Sequence, residues 1–285
     1  MACLFVEQLT VLDFSRLDRE RGLVGESWIV DIELEGELDE QSMVLDFGAA
    51  KRLARDAVEE FADHKLLVPT RCGWLEINES AASGEVRIEA PAAGLRLRSP
   101  GITVCRLDAA EVTMPALRAQ LEAQVAAVMP ANVRGVRVGL REESTAGAYY
   151  HYSHGLKRHQ GNCQRIAHGH RSRIEIYTEG RRNEHWERHW AGRWRDIYLG
   201  SEEDLVAETR LGERPALRFA YRALQGEFEL EIWRDRCELV PADTTVERLA
   251  AYIAAELVRM DPDTAFRVRA YEGVQKGAVA EYMAS

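Results

Sequence analysis

The histidines of this chain are unevenly placed. Of eight, His151, His154, His159, His168 and His170 fall within residues 149–180, YYHYSHGLKRHQGNCQRIAHGHRSRIEIYTEG, which also hold Cys163. His185 and His189 follow shortly, and only His64 lies elsewhere. An imidazole nitrogen is a good donor to borderline metals, so the cluster points first to a metal site. His168-Gly169-His170 runs into RSRIEIY, which reads as a strand. Residues two apart on a strand share a face, so both imidazoles point the same way. His154, from the preceding strand or its end, is placed to be a third ligand. Three histidines with a fourth position left open is the pattern of a catalytic rather than a structural zinc. The plain alternatives are two ordinary strand histidines, and a Cys163 that is a structural thiol or a fourth ligand. The polar, glycine-containing loop HQGNCQR argues against burial of that thiol.

Length and composition bound what such a site can belong to. A chain of 285 residues holds one large domain or two of ordinary size. A net charge of −10 disfavours general nucleic-acid binding, although the basic residues around 157–173 suit a compact anion. No apolar run reaches membrane-spanning length, and MACLFVEQLTVLDF lacks the form of a signal peptide. Five single cysteines with no CxxC pair suggest reduced thiols, and a cytoplasmic location is expected.

The elements that must position these residues read as α+β. Strands are expected over 2–14, 25–36 and 133–142, with short strands between 72 and 107. Helices are expected from Asp46 to about 63 and over 115–129. The order then recurs: strands at 146–156 and 168–180, more near 216–234, a helix from Thr245 to about Met260, and a strand at 266–272. The Trp- and Arg-rich segment 181–198 reads as a solvated hairpin, and Thr244-x-x-Glu247 as a helix capping box.

The recurrence is visible in letters as well. GESWIVDIELEG (25–36) aligns with GHRSRIEIYTEG (169–180), CRLDAAEVTMPALR (105–118) with CELVPADTTVERLA (237–250), and REESTAGA (141–148) with YEGVQKGA (271–278). Two tandem units, 1–145 and 146–285, account for this. Where the second reads His168-Gly169-His170, the first reads Val24-Gly25-Glu26, and Ser15 is set against His154. Conversely, Asp63-His64 has its counterpart near Asp196-Ile197, where the histidine is missing. Each half lacks what the other keeps, so a single composite site drawing on both is expected.

Taken together, SHGL…C…HGH before a strand, Asp63-His64-x-Leu-Leu, T-x-E at 245–247 and a strand ending in glutamate resemble the 6-pyruvoyl-tetrahydropterin synthase family, which includes the 6-carboxytetrahydropterin synthases of queuosine biosynthesis. The resemblance implies two tunnelling-fold units, each a four-stranded antiparallel sheet with helices on one face, which oligomerise into a barrel with active sites at unit interfaces. It implies Zn2+ held by His154, His168 and His170. It implies Cys163 as base, Asp63 and His64 as proton relay, and Glu272, with Thr245 and Glu247 beside it, as pterin anchor. Glu142 holds the anchor position of the first unit and is the alternative to Glu272. Lys157, Arg158, Arg165 and Arg171 are expected to meet a triphosphate.

The implied activity is a lyase acting on 7,8-dihydroneopterin triphosphate, with a 6-carboxy- or 6-pyruvoyl-tetrahydropterin as product. A related lyase feeding folate or another pterin is the rival enzyme reading. A non-catalytic pterin- or metal-binding module is the rival from another class. No nucleic acid or membrane partner is expected; a homo-oligomer is.

Overall fold

The computed structural model describes residues 1–283. Strands β1 (Ala2–Asp18) and β2 (Gly22–Gly36) form a long hairpin, followed by α1 (Phe47–Ala62) and β3 (Leu66–Pro69). Three short strands come next, β4 (Glu76–Glu79), β5 (Glu85–Ala90) and β6 (Leu95–Pro100). Then β7 (Val104–Leu107), α2 (Met114–Val128) and β8 (Val133–Glu142) complete the first half. The second half opens with β9 (Tyr149–His154), β10 (His168–Thr178), β11 (Arg181–Arg182), α3 (Glu184–Arg193) and β12 (Ile197–Ser201). It continues with β13 (Leu205–Leu211), β14 (Arg214–Ala223), β15 (Gly226–Trp233) and β16 (Cys237–Val240). It closes with α4 (Val246–Met260), β17 (Phe266–Tyr271) and β18 (Gly277–Tyr282).

The two halves repeat one plan. The first sheet runs β7-β3-β1-β2-β8 and the second β16-β12-β9-β10-β17-β18, with β11 added beside β10. In both, the long strands pair antiparallel. This is the α+β tunnelling-fold arrangement, with one change. The antiparallel core is three strands in the first half and four in the second, and each sheet also carries two short parallel strands. The physical reason lies in those added strands: all of Leu66–Pro69 and Ile197–Ser201 is buried, as a parallel strand covered on both faces requires.

Local chemistry explains the helices. Asp46 caps α1 by accepting from the Ala49 N–H, and Ala50, Ala54, Val58 and Ala62 form its buried stripe. Thr113 caps α2, which buries Leu117, Leu121 and Val125. The segment read as a solvated hairpin is helical instead. Asn183 caps α3 by accepting from Trp186 N–H, and Trp190 and Trp194 are fully buried, four residues apart on one face. Burial of these two large indoles outweighs the polar residues between them.

A third sheet belongs to both halves. Its order is β13-β14-β15-β6-β5-β4, joined where Glu229–Ile232 pairs with Leu95–Arg98. Its inner face packs into one apolar core with residues of both halves, among them Leu17, Val68, Ile88, Leu95, Ile166, Tyr198 and Phe228. The other two cores lie under the helices of their own halves.

Where the two long hairpins meet, the backbones touch. A Cβ on Gly25 would lie 1.9 Å from Tyr152 O and 2.5 Å from His170 N, and one on Gly169 would lie 2.7 Å from Gly25 Cα. The Ser15 and Ser153 hydroxyls hydrogen-bond across the seam at 2.7 Å. Strand register makes the equivalence plain: Ser15 pairs with Gly25 as Ser153 pairs with Gly169. Gly25→Ala is therefore expected to cost at least about 2 kcal/mol by thermal denaturation, since backbone rather than a flexible side chain must move. Gly192→Ala, in a helix with open space at its Cα, is expected to be neutral or stabilising. Equal melting temperatures for the two variants would contradict a tight seam.

Candidate metal centre at the seam

His154 ends β9 and pairs directly with His168 at the start of β10, with His170 two residues further on. One ring nitrogen from each lies within 4.8 Å of the others, and all three residues are buried. Among the described residues, none of the three Nε2 atoms has a hydrogen-bond partner. Three buried, unpartnered nitrogens converging on one point is costly unless something binds there. Two of the three Nδ1 atoms are held from behind by hydrogen bonds. His154 Nδ1 lies 3.1 Å from Thr244 O and 3.0 Å from Thr244 Oγ1, and His168 Nδ1 is 2.9 Å from Arg165 O. His170 Nδ1 faces Asp13 Oδ1 at 3.2 Å, an ion-pair distance without hydrogen-bond alignment. Such outer contacts fix the tautomer that leaves Nε2 free for a cation, so the donor set fits a divalent metal. Burial, with neighbouring histidines adding to it, pushes His154 and His168 well below the ordinary histidine range, which keeps both neutral.

The first half completes the site. His64 takes a left-handed backbone (φ 52°) after α1, and its N–H donates to Asp13 O. Its Nδ1 is 2.5 Å from Asp63 Oδ2, while Asp63 Oδ1 accepts from the Asp13 N–H. The ring stacks toward His168 at 5.1 Å between centroids. Ligand atoms of His64, Cys163 and His168 also lie within 4.8 Å of one another, so the thiol sits between the imidazole of one half and the histidine cluster of the other. The loop carrying Cys163 is clamped by the β14–β15 hairpin: Tyr221 donates to Gln164 O, and Gln225 N–H to Gln164 Oε1. Glu272 Oε1 lies 3.7 Å from His170 Nε2.

The other expected residues are placed as follows. Arg165 is buried, and its guanidinium donates to Asp63 O, His64 O and Gln225 Oε1, so it ties the Cys163 loop to the Asp63-His64 turn. Arg171 is buried near Glu142, donates to Glu143 O and stacks on Tyr149. Lys157 is paired with Asp204 and Glu203, and Arg158 with Glu203 and Asp243. All four basic groups expected at a triphosphate are thus engaged with protein atoms. Thr245 N-caps α4 without a side-chain bond, because the neighbouring Thr244 hydroxyl is turned to His154 instead of serving a capping box. Glu247 is exposed on the first turn of α4. Asp13, Ser27 and Lys276 carry no signal of their own in the sequence, and Thr244 reads there only as a helix cap. The signal for Asp13 was available only after aligning Ser15 with Ser153, which corrects the pairing of Ser15 with His154 and sets Arg16 there instead.

That correction exposes a second, altered copy of the site. Arg16, Val24 and Glu26 stand where the second half has His154, His168 and His170. Arg16 Nε donates to Glu26 Oε1 at 2.9 Å, and Trp28 Nε1 to Glu26 Oε2. A guanidinium–carboxylate pair fills the place of the imidazoles. Glu142 lines this altered pocket, a cavity of about 670 Å3, with Arg16, Glu26 and His151, whereas Glu272 lies beside the histidine cluster.

A model of the 6-pyruvoyl tetrahydropterin synthase family matches residues 13–151, a stretch that includes Asp13, Asp63, His64 and His151. Similar solved structures include the 6-pyruvoyltetrahydropterin synthase of Plasmodium vivax, 18% identical over 51% of this chain and 93% of that one, with a TM-score of 0.41. The Plasmodium falciparum 6-pyruvoyl tetrahydropterin synthase is 13% identical over 49% of this chain and 90% of that one, with a TM-score of 0.40. No curated protein matches the chain.

The electrostatics of His64 give a testable signature. Burial opposes its charge, but hydrogen bonds to Asp63 and Cys163 outweigh that and raise its pKa from 6.5 to about 10. A raised pKa means the folded state holds the proton more tightly, so this contribution to stability is complete below pH 6.5 and is lost as pH rises through about 10. In metal-free protein, NMR titration is expected to show His64 still protonated at pH 8, and Asp63→Asn to bring its titration down. A wild-type His64 that titrates in the ordinary range would contradict the Asp63 pairing.

Proposed function

We propose, on the premise that this chain is a relative of the 6-pyruvoyl tetrahydropterin synthase family, that it is a zinc-dependent lyase acting on 7,8-dihydroneopterin triphosphate, with a 6-carboxy- or 6-pyruvoyl-tetrahydropterin as product. The observation that carries this reading is the convergence of three unpartnered imidazole nitrogens with the Cys163–His64–Asp63 array on one side and Glu272 on another.

Zn2+ held by His154, His168 and His170 would act as a Lewis acid on the substrate's side-chain oxygens and acidify the adjacent C–H. The protein groups divide the remaining work. Glu272, as a carboxylate, accepts hydrogen bonds from the amino and ring N–H groups of a pterin and fixes its orientation. Cys163 Sγ, within reach of His64, is the base that accepts a proton from the side-chain carbon. His64, oriented by Asp63, returns a proton at the neighbouring carbon. Arg165 holds the relative positions of Cys163 and His64 by bonding the carbonyls of the Asp63-His64 turn. Because Asp63 and His64 come from the first half and the imidazoles from the second, neither half alone has the full set. Assembly of several chains into a ring is part of this reading.

The test is direct. Purified full-length protein should hold about one equivalent of zinc per chain rather than two, since Arg16 and Glu26 replace ligands in the altered copy. Incubation with 7,8-dihydroneopterin triphosphate, followed by mass analysis, should give a tetrahydropterin product. Cys163→Ala and His64→Ala are each expected to lower turnover at least about 100-fold while zinc stays bound. Full activity of His64→Ala would refute the composite site. A product cleaved at a different side-chain bond would assign the rival lyase reading.

A further inference from the structure

Two of the three histidines are backed by neutral acceptors within their own half, Thr244 and Arg165 O. The third faces a carboxylate from the other half at ion-pair distance, short of hydrogen-bond alignment. Asp13 is 2% exposed, with Oδ1 at 3.2 Å from His170 Nδ1. The same carboxylate accepts from Ser27 Oγ at 2.5 Å and from Lys276 Nζ at 3.0 Å. It also lies against the turn that follows Glu272: a Cβ on Gly273, whose φ is +69°, would meet Asp13 Oδ1 at 2.5 Å and Ser27 Oγ at 3.0 Å. Asp13 therefore touches a ligand histidine, the loop that carries Glu272, and its own strand partner at once.

The register of the hairpins gives this contact its meaning. The counterpart of Asp13 in the second half is His151, and the counterpart of His170 in the first half is Glu26. His151 Nδ1 lies 3.6 Å from Glu26 Oε2. Both sides of the seam thus carry an acid–imidazole contact, but with the two partners exchanged. Only where the imidazole stands at the inner position, beside His154 and His168, does the carboxylate back a nitrogen donor.

We infer that Asp13 is the positioning residue of the metal centre: its carboxylate keeps the proton of His170 on Nδ1, aims Nε2 inward, and through Gly273 and Lys276 ties that geometry to the Glu272 loop. An anionic acceptor behind an imidazole raises its donor strength and fixes its ring plane, so one first-half residue governs how tightly the second half holds a cation. This inference rests on the metal reading above and deepens it.

The experiment uses the full chain and zinc alone. Asp13→Asn preserves shape and an acceptor for Ser27 but removes the charge, and zinc affinity measured by chelator competition is expected to fall about 10- to 100-fold. A purely structural role would not alter the ligand field, so the cobalt-substituted proteins supply a second readout, with the visible bands of Asp13→Asn expected to shift from wild type. If that variant does not fold, the wild type decides: long-range 1H–15N histidine spectra of the zinc-loaded protein should show His170 protonated at Nδ1 and bound through Nε2. Wild-type affinity in Asp13→Asn, or a zinc-loaded His170 bound through Nδ1, would overturn the inference. A wild type that binds no zinc would instead remove the metal reading beneath it.

Discussion

The distance between the hairpins β1–β2 and β9–β10 is set by Gly25 and Gly169, which have no side chains to hold the strands apart. Backbones meet there, and the Ser15 and Ser153 hydroxyls bond across the contact. Several side chains near the glycines then come within reach of the other half. Asp13 reaches His170, His151 reaches Gly25 O at 2.7 Å, and the Arg171 N–H donates to Ser27 Oγ. The placement of Asp13 and His64 beside the histidine cluster follows from this contact. The shared third sheet supports it from the side, because its apolar face is buried only when β6 and β15 pair across the halves.

The same seam produces two related pockets with different chemistry. On one side three imidazoles are left without partners at their inner nitrogens. On the other, Glu26 is satisfied by Arg16 and the Trp28 indole, and Asp196, the backbone counterpart of His64 at φ 54°, is paired with Arg21. A buried carboxylate needs such partners, and once Arg16 and Glu26 are in place each is costly to remove alone. That mutual dependence makes this side of the seam an ion-paired wall rather than a ligand set.

Much of the fold was legible because its long elements are strongly patterned. Asp46 and its helix, the strand Val133–Glu142 and the three collinear repeats all follow from periodicity and capping. The histidine cluster was legible because imidazoles two apart on a strand must share a face. The α3 helix was not, since charges dominate its letters and only burial of Trp190 and Trp194 decides its shape. Nor was the role of Arg165: a basic residue in a glycine-containing loop suggests an anion, whereas folding places it under the carbonyls of Asp63 and His64. Asp13 was invisible for a different reason. Its partner is far away in sequence, and a one-residue error in pairing Ser15 turns the whole face of β1 away from the seam.

On the proposed reading, the seam holds one metal centre per chain, with ligands from the second half and Asp13, Asp63 and His64 from the first. Zinc-edge anomalous diffraction from crystals of the zinc-loaded protein soaked with a pterin tests it most directly. One anomalous peak per chain is predicted, bounded by His154, His168 and His170, with the pterin held by Glu272 and facing Cys163 and His64. A second peak beside Arg16 and Glu26, or a pterin seated against Glu142 in the altered pocket, would contradict the account.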